Sequence, residues 1–186
     1  MTTSLLLALL LVAALLAWAA MLFNRLVRLR NQVRTAWADI DVQLTRRHDL
    51  VPSLVAAVKG YAAHEGAVLE AVTTLRAQAT AEQAPGRLGD VEDRLEHALG
   101  RLVALQEAYP DLKANQNFLQ LQRDLVGVEE QLQYARRFYN GAVRDYNDAV
   151  QRVPDLLVAR SFGFDAAEFF QADDAQRAAV KVELPR

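Results

Sequence analysis

The sequence has no cysteine, five prolines and eight glycines, and lysine appears only as Lys59, Lys113 and Lys181. Without cysteine there are no disulfides, no thiolate nucleophile and no sulfur-ligated metal, which fits a reducing compartment. So few glycines leave no Gly-rich loop to cradle a phosphate. No apolar/polar alternation of period two appears after the first 23 residues, which argues against a sheet. The net charge is −2, so there is no basic field to attract nucleic acid, and nucleic acid is excluded as a partner. Charge is missing altogether from residues 1–23.

That uncharged stretch is the first positive feature. Leu5 to Phe23 is nearly all Leu, Ala and Val. At 1.5 Å per residue, about 20 helical residues cover the roughly 30 Å hydrocarbon layer of a bilayer. The expected lipid contact is residues 4–23, within an anchor of residues 1–23. Trp18 and Phe23 sit toward its far end, where aromatic rings favour the interface. Arg25, Arg28, Arg30 and Arg34 then arrive before the first acid, Asp39. The positive-inside rule expects the N-terminus outside and the remaining chain in the cytoplasm, anchored once in a bacterial inner membrane. The competing reading is a secreted or periplasmic helical binding module, released by cleavage near Ala17-Trp18-Ala19. Against it, the chain has no basic n-region, and its apolar run exceeds an ordinary signal h-region. Ala13 and Ala17 would also let two spans pack closely, so a homo-oligomer is among the admitted partners.

After the span the apolar period is helical. One stripe runs through Leu26, Leu29, Val33, Trp37, Ile40, Leu44, Val51, Leu54 and Val58, and a second through Leu69, Val72 and Leu75. A third takes Leu88, Val91, Leu95, Leu99, Leu102, Leu105 and Tyr109; the fourth runs from Phe118 to Ala149. Gly and Pro punctuate these stripes, which predicts helices over 24–60, 64–82, 88–108 and 112–152. The expected fold is all-α: an N-terminal transmembrane helix, an antiparallel up-and-down four-helix bundle over 24–152, and a Phe-rich segment over 153–186. Pro52 either kinks the first helix or, with Asp49 as cap, starts a new one; the unbroken stripe favours a kink.

The two long helices match in one antiparallel register. It sets Asp39 and Asp41 beside Arg136 and Arg137, Arg46 and Arg47 beside Glu129 and Glu130, and Arg28 and Arg30 beside Asp148 and Asp145. Exposed pairs add only about 0.2–1 kcal/mol each, so they choose register more than they stabilise.

Catalytic patterns are missing. A di-iron bundle needs Glu-x-x-His, but Thr45, Tyr61 and Arg94 stand three residues before His48, His64 and His97. His64-Glu65 begins a zincin-like motif, yet Val68 fills the second ligand position. Ser53 and Ser161 have no partnering His and acid at a suggestive spacing. The sequence therefore predicts no enzyme, no cofactor and no metal. Arg46-Arg47-His48-Asp49 reads as a capping and pairing cluster. Tyr139-Asn140 and Tyr146-Asn147 repeat at a heptad, the tyrosines as core rings seeking hydroxyl partners and the asparagines as buried register-fixing groups.

Taken together, Ala36-Trp37, Ile40-Asp41-Val42-Gln43-Leu44, Arg46-Arg47-His48-Asp49-Leu50-Val51-Pro52, Val58-Lys59-Gly60-Tyr61-Ala62 and His64-Glu65 resemble a LemA family protein. So do Glu107-Ala108-Tyr109-Pro110, Leu112-Lys113-Ala114, Arg136-Arg137-Phe138-Tyr139-Asn140, Tyr146-Asn147, Gly163-Phe164 and Phe169-Phe170. The resemblance covers nearly the whole chain. It implies an N-terminal anchor, a cytoplasmic antiparallel four-helix bundle and no active site to carry over. Relatives in magnetosome membrane formation imply a scaffold that organises membranes or membrane complexes, with a protein partner the sequence does not name.

Phe162, Phe164, Phe169 and Phe170 are four of the chain's seven phenylalanines. If the fourth helix returns to the bilayer, this segment either sits among the headgroups or covers the base of the bundle.

Overall fold

The computed structural model describes residues 2–170; the part of the expected Phe-rich segment at 171–186 lies outside the described residues. Every described element is helical and none is a strand. The α-helices are α1 (Thr2–Lys59), α2 (Gly66–Ala81), α3 (Pro85–Ala104), α4 (Pro110–Lys113), α5 (Gln116–Gln151) and α6 (Asp155–Phe162), with a 3-10 turn at Leu105–Glu107. The four expected helices are therefore joined by two short ones. α4 begins at Pro110 and α6 follows Pro154, where the ring fixes φ and the missing N–H costs a helix start nothing. The Val153–Pro154 peptide is cis.

α1 carries the apolar stretch directly into the charged part of the chain without a break, and it runs on through Pro52. The alternative in which Asp49 caps a new helix is thereby overturned. α1 is the one helix among the described residues long and apolar enough to cross a membrane, and none of its most apolar window is buried inside the protein.

By its own contacts the chain divides into two compact units, residues 2–47 with Asp124–Glu168, and His48–Arg123 with Phe169 and Phe170. In the first, α1 and α5 lie antiparallel. Their buried stripes are Leu26, Ala36, Ile40 and Leu44 on α1, and Leu132, Tyr139, Ala142, Val143 and Tyr146 on α5. Of the predicted charge groups, Arg47 pairs with Glu129, and the rings of Trp37 and Tyr139 lie 5.3 Å apart in the same register; Asp41 is exposed, and Arg137 lies over the Tyr134 ring. The third predicted charge group is replaced. Arg30 lies over the Phe164 ring at 4.8 Å, and Arg25, not Arg28, makes the basal ion pair, with Asp155 at 2.6 Å.

In the second unit α2 and α3 pack as a hairpin around a three-residue loop. The Glu82 carboxylate builds that loop. It accepts the N–H groups of Gln83 and Ala84, both at 2.9 Å, and both donors of the Arg87 fork at 2.9 and 3.1 Å. The Arg87 bond, with the Ala84 amide next, holds the Glu82 pKa down at about 2. α5 starts on an Asn cap: Asn115 Oδ1 accepts the Phe118 N–H at 3.0 Å. Val51, Leu54, Val58, Val72, Leu95, Leu99, Leu102, Leu112, Phe118 and Phe170 are buried in this part of the chain.

Candidate functional site

The polar residues singled out by the sequence divide: Arg47 joins α1 to α5, Tyr139 and Asn147 hold the segment after α6, and Asp41, Arg46 and Asp49 are exposed. Arg47 is fully buried and bonded to Glu129, whereas its neighbours Arg46, Asp41 and Asp49 are exposed. One turn of helix thus carries a buried guanidinium between surface charges, a difference set only by which face of α1 each residue occupies. Removing an ion from water costs several kcal/mol, so Arg47 is retained at that depth by charge-assisted bonding.

The heptad of Tyr-Asn pairs serves a purpose the sequence does not show. Tyr139 is buried and its hydroxyl donates to the Glu168 carbonyl at 2.8 Å. Burial, then the Glu168 charge, pushes the Tyr139 phenol up to about 12. The Tyr146 phenol is raised too, by burial first. Asn147 accepts the Ala167 N–H at 2.8 Å and donates to the Ala167 carbonyl at 2.9 Å. Asn147 therefore pins the segment after α6 to α5, where the expectation was register-fixing between helices. Asn140 is half-buried on α5.

The Phe-rich segment divides. Phe164 and Phe170 are buried, Phe162 is 63% exposed and Phe169 37% exposed. Phe164 and Phe170 are each covered by the protein, so neither ring is free to enter lipid. Phe164 and Phe162 both meet Phe23 edge-on, with ring centroids at 5.6 and 5.0 Å. α6 reaches this position through two devices. Asp155 in its first turn is buried and paired with Arg25; Gly163 closes it in the left-handed region (φ 67°), where other residues are strained.

Sequence reasoning missed the second unit's polar centre. His48 Nε2 lies 2.7 Å from Glu92 Oε1, and Glu92 is fully buried. Arg76 Nε donates to the His48 carbonyl at 2.8 Å. Its one trace in the sequence is that Glu92 falls on the apolar stripe, three residues before Leu95, a spacing that does not by itself separate it from a surface acid. Between α2 and α3 an open groove of about 700 Å³ has Ala67, Ala71 and Thr74 on one wall and Arg94, His97 and Arg101 on the other. No group of three metal-ligating side chains lies together among the described residues. These arrangements tie helices to one another and bring no nucleophile to a general base.

The family model described as "LemA family" matches residues 36–184. The chain belongs to the LemA family. It is 24% identical over 190 residues to magnetosome protein MamQ 2 of Paramagnetospirillum magneticum, covering 88% of this chain and 70% of that one. Magnetosome protein MamQ of Magnetospirillum gryphiswaldense is 22% identical over 181 residues, covering 83% and 66%. Protein LemA of Metamycoplasma hominis is 23% identical over 158 residues, covering 84% and 72%.

Proposed function

We propose that this LemA-family chain is a non-enzymatic single-pass membrane protein that holds a protein partner at the bilayer and so organises a membrane-associated complex. The observation that carries it is the continuity of α1. One helix passes from an unburied apolar stretch into the charged part of the chain, where Arg47 pairs with Glu129 on α5, so what is built on that part of α1 is tied directly to the lipid. The magnetosome names of its relatives point the same way. In this reading α1, α2, α3 and α5 serve as an up-and-down bundle on the cytoplasmic side, placed there by Arg25, Arg28, Arg30 and Arg34.

Topology mapping tests it, and the absence of native cysteine makes labels unique. Thr3→Cys is expected to react with a membrane-impermeant maleimide in intact spheroplasts, and Val126→Cys only after lysis. The protein should stay in the membrane through carbonate and keep its N-terminal residues. Labelling of Val126→Cys from outside, or a mature chain beginning after Ala19, gives the released binding module instead. For the partner, crosslinking in native membranes should trap a defined neighbour; a chain that crosslinks to nothing is not a scaffold.

A further inference from the structure

α6 is built inside out for a helix in water. At 3.6 residues per turn, Leu157, Ser161, Pro154, Val158 and Phe162 follow one another around roughly 140° of its surface. That arc faces away from the protein: Leu157 is 62% and Phe162 63% exposed, and Pro154 and Val158 are half-buried. Its single polar group, the Ser161 hydroxyl, donates back to the Leu157 carbonyl at 2.9 Å. The charges border this arc and do not enter it: Asp155, about 20° past Phe162, is buried and pairs with Arg25, and Arg160 stands about 60° before Leu157. Just before the helix, Val153 adds a further side chain that is 68% exposed. An ordinary surface helix puts its apolar stripe inward and its charges outward.

We infer that the outer face of α6 lies in the headgroup layer of the bilayer, a second membrane contact beside the span. The inference rests on the reading of α1 as a span, and the occupant follows from position. Phe162 touches Phe23, the residue at which the apolar run of α1 ends. If that stretch fills the hydrocarbon, Phe23 is at its boundary, and a ring 5.0 Å from it sits at the same depth. Through Phe162 the exposed arc meets the end of the apolar stretch of α1. Arg152 and Arg160 are exposed at its flanks, suited to phospholipid phosphates. With two attachments, α1 and α6, the body cannot swivel freely about its anchor.

The full chain in vesicles of phosphatidylcholine and phosphatidylglycerol tests this through single nitroxide labels on Leu10→Cys, Ser161→Cys, Leu157→Cys and Val126→Cys. Each residue except Ser161 is a large exposed apolar group, and Ser161→Cys leaves the arc whole. Relaxation by oxygen, which concentrates in lipid, is compared with relaxation by a water-soluble nickel chelate. The oxygen-to-nickel ratio should be highest at position 10, several-fold above position 126 at 157 and 161, and lowest at 126. Positions 157 and 161 matching 126, with 10 still in lipid, overturn the α6 contact and leave the span standing. Labels at 157 and 161 shielded from both reagents show a protein cover and overturn it too. A label at position 10 exposed to the chelate removes the span and α6 contact together.

Discussion

Arg76 Nε donates a 2.8 Å hydrogen bond to the carbonyl oxygen of His48, the residue four before Pro52. In an unbroken helix that carbonyl would accept the N–H of residue 52, which proline lacks. α1 therefore passes through Pro52 with its freed acceptor satisfied by a side chain from α2. Arg76→Met should expose the deficit, costing about 1–2 kcal/mol. In a Pro52→Ala background the helix supplies its own donor, and the same substitution should cost less than half as much. Thermal melts of the four variants, followed by helical circular dichroism in detergent, read the difference; equal costs in both backgrounds would show that Arg76 does not serve this carbonyl.

Adjacent arginines on α1 should behave oppositely. Arg47 is fully buried against Glu129 and Arg46 is exposed. Arg47→Ala removes a packed side chain and leaves the carboxylate partner short of its cation, for an expected loss of about 3–5 kcal/mol. Arg46→Ala should stay within about 0.5 kcal/mol of the parent. Chemical unfolding of both variants checks this, and similar losses would refute the buried role of Arg47.

The register between α1 and α5 was legible because oily stripes and charges both repeat along two long helices, and Arg47–Glu129 and Trp37–Tyr139 both satisfy it. The four long helices were legible from the same period. Their boundaries were not always: α3 starts at Pro85, three residues before the first apolar position of its stripe, because proline is accommodated in a first turn. α6 escaped because eight residues hold too few turns for a stripe, and its apolar face points outward. Arg76, Glu92 and Asp155 escaped for a different reason. Each acquires its role from a partner distant in sequence, and no local pattern separates a buried acid on an apolar stripe from a surface one. Asn147 stood out in the sequence but its partner did not, since the segment that it bonds has no periodicity of its own.

Alkaline pH should loosen the fold through Tyr139. A free phenol titrates near 10, whereas burial and the Glu168 charge raise that of Tyr139 to about 12. Between these values the unfolded chain has lost a proton that the folded chain keeps. The stabilisation is therefore complete below pH 10 and disappears as pH climbs through 12. Tyr139→Phe should melt lower at neutral pH by the loss of one hydrogen bond, about 0.5–1.5 kcal/mol. It should also show a shallower fall in Tm from pH 10 to 12 and lack the highest step in phenolate absorbance. An unchanged slope would mean that Tyr139 titrates like an exposed phenol.

Asn147 offers the sharpest test of how the segment after α6 is held. Its side-chain amide meets both the N–H and the carbonyl of Ala167, a two-bond bracket on a stretch without helical bonds of its own. Asn147→Asp keeps an acceptor for the Ala167 N–H and loses the donor; Asn147→Ala loses both. The expected order of stability is parent, Asp variant, Ala variant, with about 1–3 kcal/mol between the ends. Hydrogen exchange separates local release from general damage. The Ala167 amide should exchange faster in Asn147→Ala by at least tenfold, while amides in α2 and α3 keep the parent's rates. Uniform acceleration across the chain would show that Asn147 supports the fold at large, and unchanged exchange at Ala167 would show that the bracket does not hold the segment.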